Sequence, residues 1–133
     1  MQKRFRFEKL EVWQAAGKMN RSVYRLTKDF PRNELFTMTS QLRRASISIT
    51  ANIAEGSGRN SDKDFAHFLE IAYGSIMEVA AIFYLALDEG YIKENDLQPI
   101  LAELDMLSRR VVALNRSLVV KGSKTPFTKP VPV

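Results

Sequence analysis

The sequence predicts an all-α protein, an antiparallel up-and-down four-helix bundle. Three observations carry that expectation. Apolar residues recur at spacings of three and four through four long stretches, the rhythm of helices packed on one another. Proline and glycine fall at the breaks between those stretches, at Phe30-Pro31, Gly56-Ser57-Gly58 and Glu89-Gly90. No stretch carries a strand signal of any weight, and short breaks between long helices favour antiparallel neighbours.

The first helix is expected to begin near Phe7 or Glu8. Val12, Ala16, Met19, Val23 and Leu26 form its clearest apolar stripe, with Leu10, Trp13, Gly17, Asn20, Tyr24 and Thr27 as a more mixed stripe beside it. Phe30-Pro31 ends it, because a residue before proline is pushed out of the α region. The second helix is expected over 33–55, with Gly56 after it. Ser61 caps the third, with Asp64 three residues on, close to a capping box. Phe65, Phe68, Leu69, Ala72, Ile76, Ala80, Phe83 and Leu87 mark its core face. Asn95 or Asp96 starts the fourth, where Leu97, Leu101, Leu104, Leu107, Val111, Leu114 and Leu118 keep bundle spacing.

A chain of 133 residues is long enough for one domain with a real core. The bundle is assigned to 1–120, and 121–133, with three prolines and no periodicity, to a flexible Lys- and Pro-containing tail. The absence of cysteine excludes disulfides, thiolate metal sites and cysteine nucleophiles. The basic N-terminus has no apolar h-region, and the longest apolar run, 79–87, is too short to span a bilayer. A cytoplasmic protein with no membrane partner is therefore expected. The N-x-S matches at Asn20 and Asn115 fall inside helices and are read as chance.

The second helix has an unusual composition. Leu42, Ala45, Ile49, Asn52 and Ile53 make one stripe, and Arg43, Ile47, Thr50 and Ala54 another. Ala45, Ser46, Ser48 and Ala51 keep its surface shallow, so neighbouring backbones can approach. Such a helix is packed on more than one side, and its polar groups must find partners.

Charge is unevenly placed. Residues 1–60 hold 12 Lys/Arg against 5 Asp/Glu, a net +7, while 61–92 hold 1 Lys against 6 Asp/Glu, a net −5. This asymmetry fits a basic patch on nucleic acid or opposed faces of identical subunits. Lys18, Arg21, Arg25 and Lys28 follow i, i+3, i+7, i+10, a continuous stripe on the first helix, and Arg32 extends it. These five are the expected nucleic-acid contacts, with Lys3, Arg4 and Arg6 as further exposed basic candidates. A solvated face is the plain alternative.

Enzymatic chemistry finds little support. Glu70 and Glu78 share a face with Gly74, and Glu55 could approach from the second helix. Di-iron bundles, however, need two Glu-x-x-His motifs, and the only histidine is His67, in the reversed order His67-x-x-Glu70. A network of Arg43, Arg44 or Arg59 with these carboxylates is the better reading. Ser46, Ser48 and Ser75 have no histidine base in view. The EGSGRN segment lacks the lysine and hydroxyl of a P-loop, so Gly56 reads as a left-handed C-cap residue. A mixed role remains, in which Arg59 and the third helix's N-terminus hold an anion. Adjacent Arg43 and Arg44 point about 100° apart on a helix, so one is expected to pair within the protein and the other to face solvent or a phosphate. Trp13, beside Leu10 and Gly17, reads as packing rather than base stacking. No catalytic residue, cofactor or metal ligand is assigned.

Four ordered segments carry a resemblance: FEKLEVWQAA (7–16), DFPRNELF (29–36), QLRRASISITANIAEGSGR (41–59) and FLEIAYGSIMEV (68–79). Over roughly 5–120 the chain resembles the four-helix-bundle family encoded by intervening sequences of bacterial 23S rRNA genes. It is also similar to the related accessory variability proteins of diversity-generating retroelements. The family signature maps onto Gln41, Arg43, Arg44, Asn52, Glu55, Gly56 and Arg59, then Phe68, Leu69, Ala72, Gly74, Ser75 and Glu78. The resemblance implies a bundle that assembles into a homopentameric barrel, with no catalytic activity attached. It links the family to RNA by gene location, and its retroelement relatives to nucleic acid and a reverse transcriptase through basic surface. The expected function is a non-catalytic, homo-oligomeric, RNA- or DNA-binding accessory protein. The alternative is an oligomeric scaffold for a partner protein, with no nucleic-acid role.

Overall fold

One extended residue, Leu10, separates a short N-terminal turn from the first long helix. The computed structural model describes residues 3–121. Arg6–Lys9 form a 3-10 turn, and α1 runs over Glu11–Thr27. The helix expected from Phe7 or Glu8 therefore starts later. The Glu8 carboxylate accepts from the backbone N–H groups of Phe5 at 2.9 Å and Arg4 at 3.1 Å, which closes the turn instead of continuing a helix. Those bonds, Phe5 first, hold the Glu8 carboxyl below its ordinary range.

The second helix also departs from expectation at its start. A 3-10 turn at Arg32–Glu34 and a π-helical turn at Leu35–Thr39 precede α2, which spans Ser40–Ser57. Glu34 organises this entry. Its carboxylate accepts from the Thr37 and Tyr91 hydroxyls, the latter at 2.8 Å, and from the Met38 N–H at 3.5 Å. These bonds, with Thr37 first and Tyr91 next, keep its carboxyl below the ordinary range. A wider π turn leaves the apolar spacing readable while changing the backbone, so spacing alone does not detect it.

The end of α2 corrects the reading of Gly56. The helix continues to Ser57, Gly58 has φ −89°, and the only positive-φ glycine among the described residues is Gly90. Gly56 is buried inside α2, where any Cβ would collide with Phe68 and Phe65 of α3. It serves close approach of two helices rather than a left-handed cap.

Helix α3 spans Asp62–Asp88 and is capped as expected, the Ser61 hydroxyl accepting from the Asp64 N–H at 3.1 Å. At its far end Gly90, with φ +76°, lets Tyr91 N–H reach the Ala86 carbonyl at 2.9 Å while its own N–H bonds Leu87 at 3.0 Å. That pair of bonds satisfies carbonyls the helix would otherwise leave open. Helix α4, Glu94–Lys121, follows. The tail expected over 121–133 lies outside the described residues, apart from the backbone of Lys121.

The four helices form a helical bundle, with no strand among the described residues. Helix α2 packs most extensively on α3, α3 on α4, and α1 touches both α2 and α4. Val12, Ala16, Met19 and Val23 of α1 meet Leu42, Ile49 and Ile53 of α2 in one core. Phe65, Leu69, Ile76 and Phe83 of α3, with Leu97, Leu104, Leu107 and Val111 of α4, complete it. Burying each large side chain stabilises the fold by about 1.5–3 kcal/mol. Phe68, Ala80, Leu87, Leu101 and Leu114, expected in the core, are half-buried at its edge. Asn115 is fully buried, its Nδ2 donating to the Ala66 carbonyl at 2.9 Å and locking α4 to α3.

Helix α3 is apolar well beyond its core face. By length and composition it could cross a membrane: an 18-residue window has mean hydropathy 1.5, with 39% of that window buried in the fold. The uninterrupted 79–87 run understates this, because Glu78 and Gly74 interrupt a longer apolar pattern.

Candidate nucleic-acid interface

The basic stripe lies on the face of α1 opposite its core residues. Val12, Ala16, Met19 and Val23 point inward, and helical geometry turns Lys18, Arg21, Arg25 and Lys28 to the other side. All four are exposed, as is Arg32 in the turn that follows. The α1 part of the stripe is about 15 Å long at the helical rise. Among the described residues the ion pairs are Arg59–Glu55 and Arg109–Asp105, so none of the five cations is neutralised by one. An exposed row of unpaired cations meets phosphates at little desolvation cost and gains from counterion release.

Arg6 is exposed like the other basic candidates and also makes contacts within the protein. Its Nη1 donates to the Ser57 carbonyl at 3.1 Å, and its guanidinium lies 5.3 Å from the centre of the Phe65 ring. It therefore ties the N-terminal turn to the α2–α3 end of the bundle. Trp13 packs as expected, half-buried with its ring 4.7 Å from that of Phe7.

The signature polar residues of α2 and α3 divide into separate contacts instead of one ion-pair network. Arg43 is half-buried, and its Nε donates to the Thr27 hydroxyl at 3.0 Å, with its guanidinium 4.6 Å over the Tyr24 ring. Its partners are thus on α1, not the carboxylates Glu55, Glu70 or Glu78. Arg44 is exposed and makes no ion pair among the described residues. Gln41 Nε2 donates to Glu78, linking α2 to α3. Asn52 Nδ2 donates to the Ser48 carbonyl at 2.8 Å and hydroxyl at 2.9 Å, and the Ser75 hydroxyl donates to Ser48 at 2.9 Å. Glu70 is exposed and lies outside these contacts. The small residues of α2 bring hydroxyls within reach, and the hydroxyls then satisfy each other.

The EGSGRN loop is a poor anion cradle. Arg59 pairs with Glu55 at 3.1 Å and lies 4.6 Å over the Phe68 ring. Asp62 and Asp64 occupy the first turn of α3 and already complement its N-terminal dipole. Among the described residues no three His, Asp or Glu side chains come together as metal ligands would.

An apolar face escaped the sequence reading. Ile71, Met77, Tyr84 and Leu85 of α3 are exposed, as is Ile47 of α2. Gly74 and Ala81 fall between them on the same side of α3. The Gln41–Glu78 and Ser48–Ser75 contacts bring the α2 and α3 surfaces side by side. The signal was present in the spacing of Met77 and Tyr84, seven residues apart, and of Ile71 and Leu85, fourteen apart, each pair near one side of a helix. Phe36, in the π-helical turn, is 90% exposed. A large apolar face left open is a mark of an interaction surface.

The family model for the 23S rRNA-intervening sequence protein matches residues 8–113. Among solved structures, the chain is similar to a protein of unknown function from the S23 ribosomal protein family of Bacteroides thetaiotaomicron VPI-5482. The TM-score is 0.73 at 23% identity, over 79% of this chain and 98% of that one. That likeness shows a shared fold. Comparison with curated proteins gives no significant match. With the family model spanning the turn before α1 through most of α4, the chain belongs to the 23S rRNA-intervening sequence protein family.

Proposed function

We propose that this protein is a non-catalytic, homo-oligomeric accessory protein that binds RNA or DNA in the cytoplasm. The observation that carries the reading is the exposed row Lys18, Arg21, Arg25, Lys28 and Arg32, without an ion-pair partner among the described residues. Self-association is supported by the apolar α3 face, whose Ile71, Met77, Tyr84 and Leu85 are 39–54% exposed in the protomer. An up-and-down antiparallel order is supported by the short connections of 58–61 and 89–93 between long helices. Five copies per ring is the number the sequence resemblance implies. The expected kinship with retroelement accessory proteins points the same way and rests on that resemblance alone. A ring repeats the stripe on every protomer, so weak phosphate contacts reinforce one another where a ligand spans several.

The same apolar face favours a second reading, an oligomeric scaffold for a partner protein. Binding of a labelled structured RNA by wild type and by Arg21→Ala/Arg25→Ala separates the two. The nucleic-acid reading expects binding that the double variant weakens at unchanged oligomeric state. Equal binding by both proteins, or none at low salt, contradicts it.

A further inference from the structure

A cavity of about 250 Å³ opens between the end of α1 and the start of α2, with Thr27, Lys28, Arg32, Thr39 and Arg43 in its lining. Three of these side chains are cationic, and no carboxylate lines the cavity. Glu34, the nearest acid on the α2 side in sequence, is committed to Thr37, Tyr91 and the Met38 N–H. Phe30 supplies an apolar wall.

Two features set this cavity apart from a surface cluster of charges. Thr39 is only 3% exposed, and its Oγ1 is buried with no hydrogen-bond partner. A threonine in an α-helix ordinarily bonds a carbonyl one turn back; Thr39 closes the π-helical turn and makes no such bond. Arg43 is held by its Nε on the buried Thr27 hydroxyl at 3.0 Å and by the Tyr24 ring at 4.6 Å. Its two Nη groups make no hydrogen bond within the described residues. A fixed guanidinium with both outer nitrogens unused is the group best suited to a tetrahedral oxyanion.

We infer that this cavity binds a phosphoryl group, with the Arg43 Nη groups as donors, the Thr39 hydroxyl joining them on rotation about its Cα–Cβ bond, and Lys28 and Arg32 as countercharge. Free phosphate and a nucleic-acid backbone phosphate present the same oxygens. The site shares Lys28 and Arg32 with the basic stripe but does not depend on nucleic-acid binding.

The test is thermal unfolding and calorimetric titration of the full chain with inorganic phosphate, against chloride at matched ionic strength. Phosphate is expected to raise the melting temperature and bind once per protomer. Thr39→Val removes an unpartnered hydroxyl, so it should be at least as stable as wild type without phosphate, yet bind phosphate about tenfold more weakly. Arg109→Gln on α4 should bind like wild type, which excludes a general loss of positive charge. No phosphate-specific stabilisation, or binding that survives Thr39→Val unchanged, overturns the site. A labelled RNA then identifies the source of the anion. RNA binding weakened by Thr39→Val and by added phosphate upholds the site as a backbone-phosphate seat. RNA binding indifferent to both, with phosphate binding still weakened in Thr39→Val, upholds it for free phosphate. Phosphate binding without RNA binding upholds the site while contradicting the nucleic-acid reading.

Discussion

Gly56 and Phe68 meet so closely that a Cβ added to Gly56 would lie 2.7 Å from the Phe68 Cβ, with Phe65 Cδ1 at 2.9 Å. The Phe68 Cβ is rigidly attached to the α3 backbone and cannot swing aside. Gly56→Ala should therefore destabilise the fold by about 1–3 kcal/mol through overpacking. Urea unfolding checks this: the midpoint should fall with little change in slope. Gly74→Ala is the contrast, because nothing lies within 4 Å of its added Cβ. Mid-helix glycine costs up to about 1 kcal/mol relative to alanine, so that protomer should gain stability.

Arg43 and Arg44 are adjacent in sequence and opposite in consequence. Arg43→Gln loses the Thr27 bond and the Tyr24 ring contact. A loss of about 1–2 kcal/mol in unfolding free energy is expected. Arg44→Gln, exposed and outside any ion pair among the described residues, should change stability by less than about 0.5 kcal/mol.

These residues show what the sequence made legible. Four helices, the Ser61 cap and the glycine stop at Gly90 follow from spacing and local chemistry, and the structure contains all three. The entry to α2 did not follow, since the Glu34 bonds to Thr37 and Tyr91 join residues 57 positions apart as well as neighbours. Polar pairing follows the expectation for Arg59, which meets Glu55, and departs from it for Arg43 for a related reason. Composition showed that Arg43 needed a partner, but a surplus of carboxylates pointed to α3 while the three-dimensional neighbour is Thr27 of α1. The basic stripe was legible because exposure on a helix is fixed by the position of its apolar face. The apolar exterior of α3, opposite the core face, was not read as a surface, because apolar residues are expected to find cover inside the bundle.

Glu34 links the α2 entry to Tyr91 and gives a pH prediction. Its bonds favour the ionised carboxylate, so its folded pKa lies below the unfolded value. The stabilisation is complete above the ordinary glutamate pKa of about 4.3 and disappears as pH falls through the lower folded value. Glu34→Gln should lower the melting temperature at neutral pH, and the gap to wild type should narrow in acid. A melting series from neutral to acidic pH tests the sign; a gap that widens in acid contradicts it.

The exposed face of α3 predicts its own disruption. Ile71→Asp/Leu85→Asp places charge on residues 41% and 54% exposed in the protomer, so the helices should still form. Light scattering should then report the 15.2 kDa protomer in place of an assembly. Circular dichroism should remain helical. A monomeric wild type would contradict the proposed self-association, and an unchanged assembly mass would contradict its placement on α3.

The most direct test of the account is a salt titration of nucleic-acid affinity, on a labelled structured RNA and a matched DNA duplex. The logarithm of the affinity should fall linearly with the logarithm of salt concentration, with a slope set by the number of phosphates neutralised. Arg21→Ala/Arg25→Ala should bind more weakly and with a shallower slope, by about 2 for each protomer that contacts the ligand. An intact oligomer that shows no binding at low salt, or a slope the double variant leaves unchanged, would contradict the account.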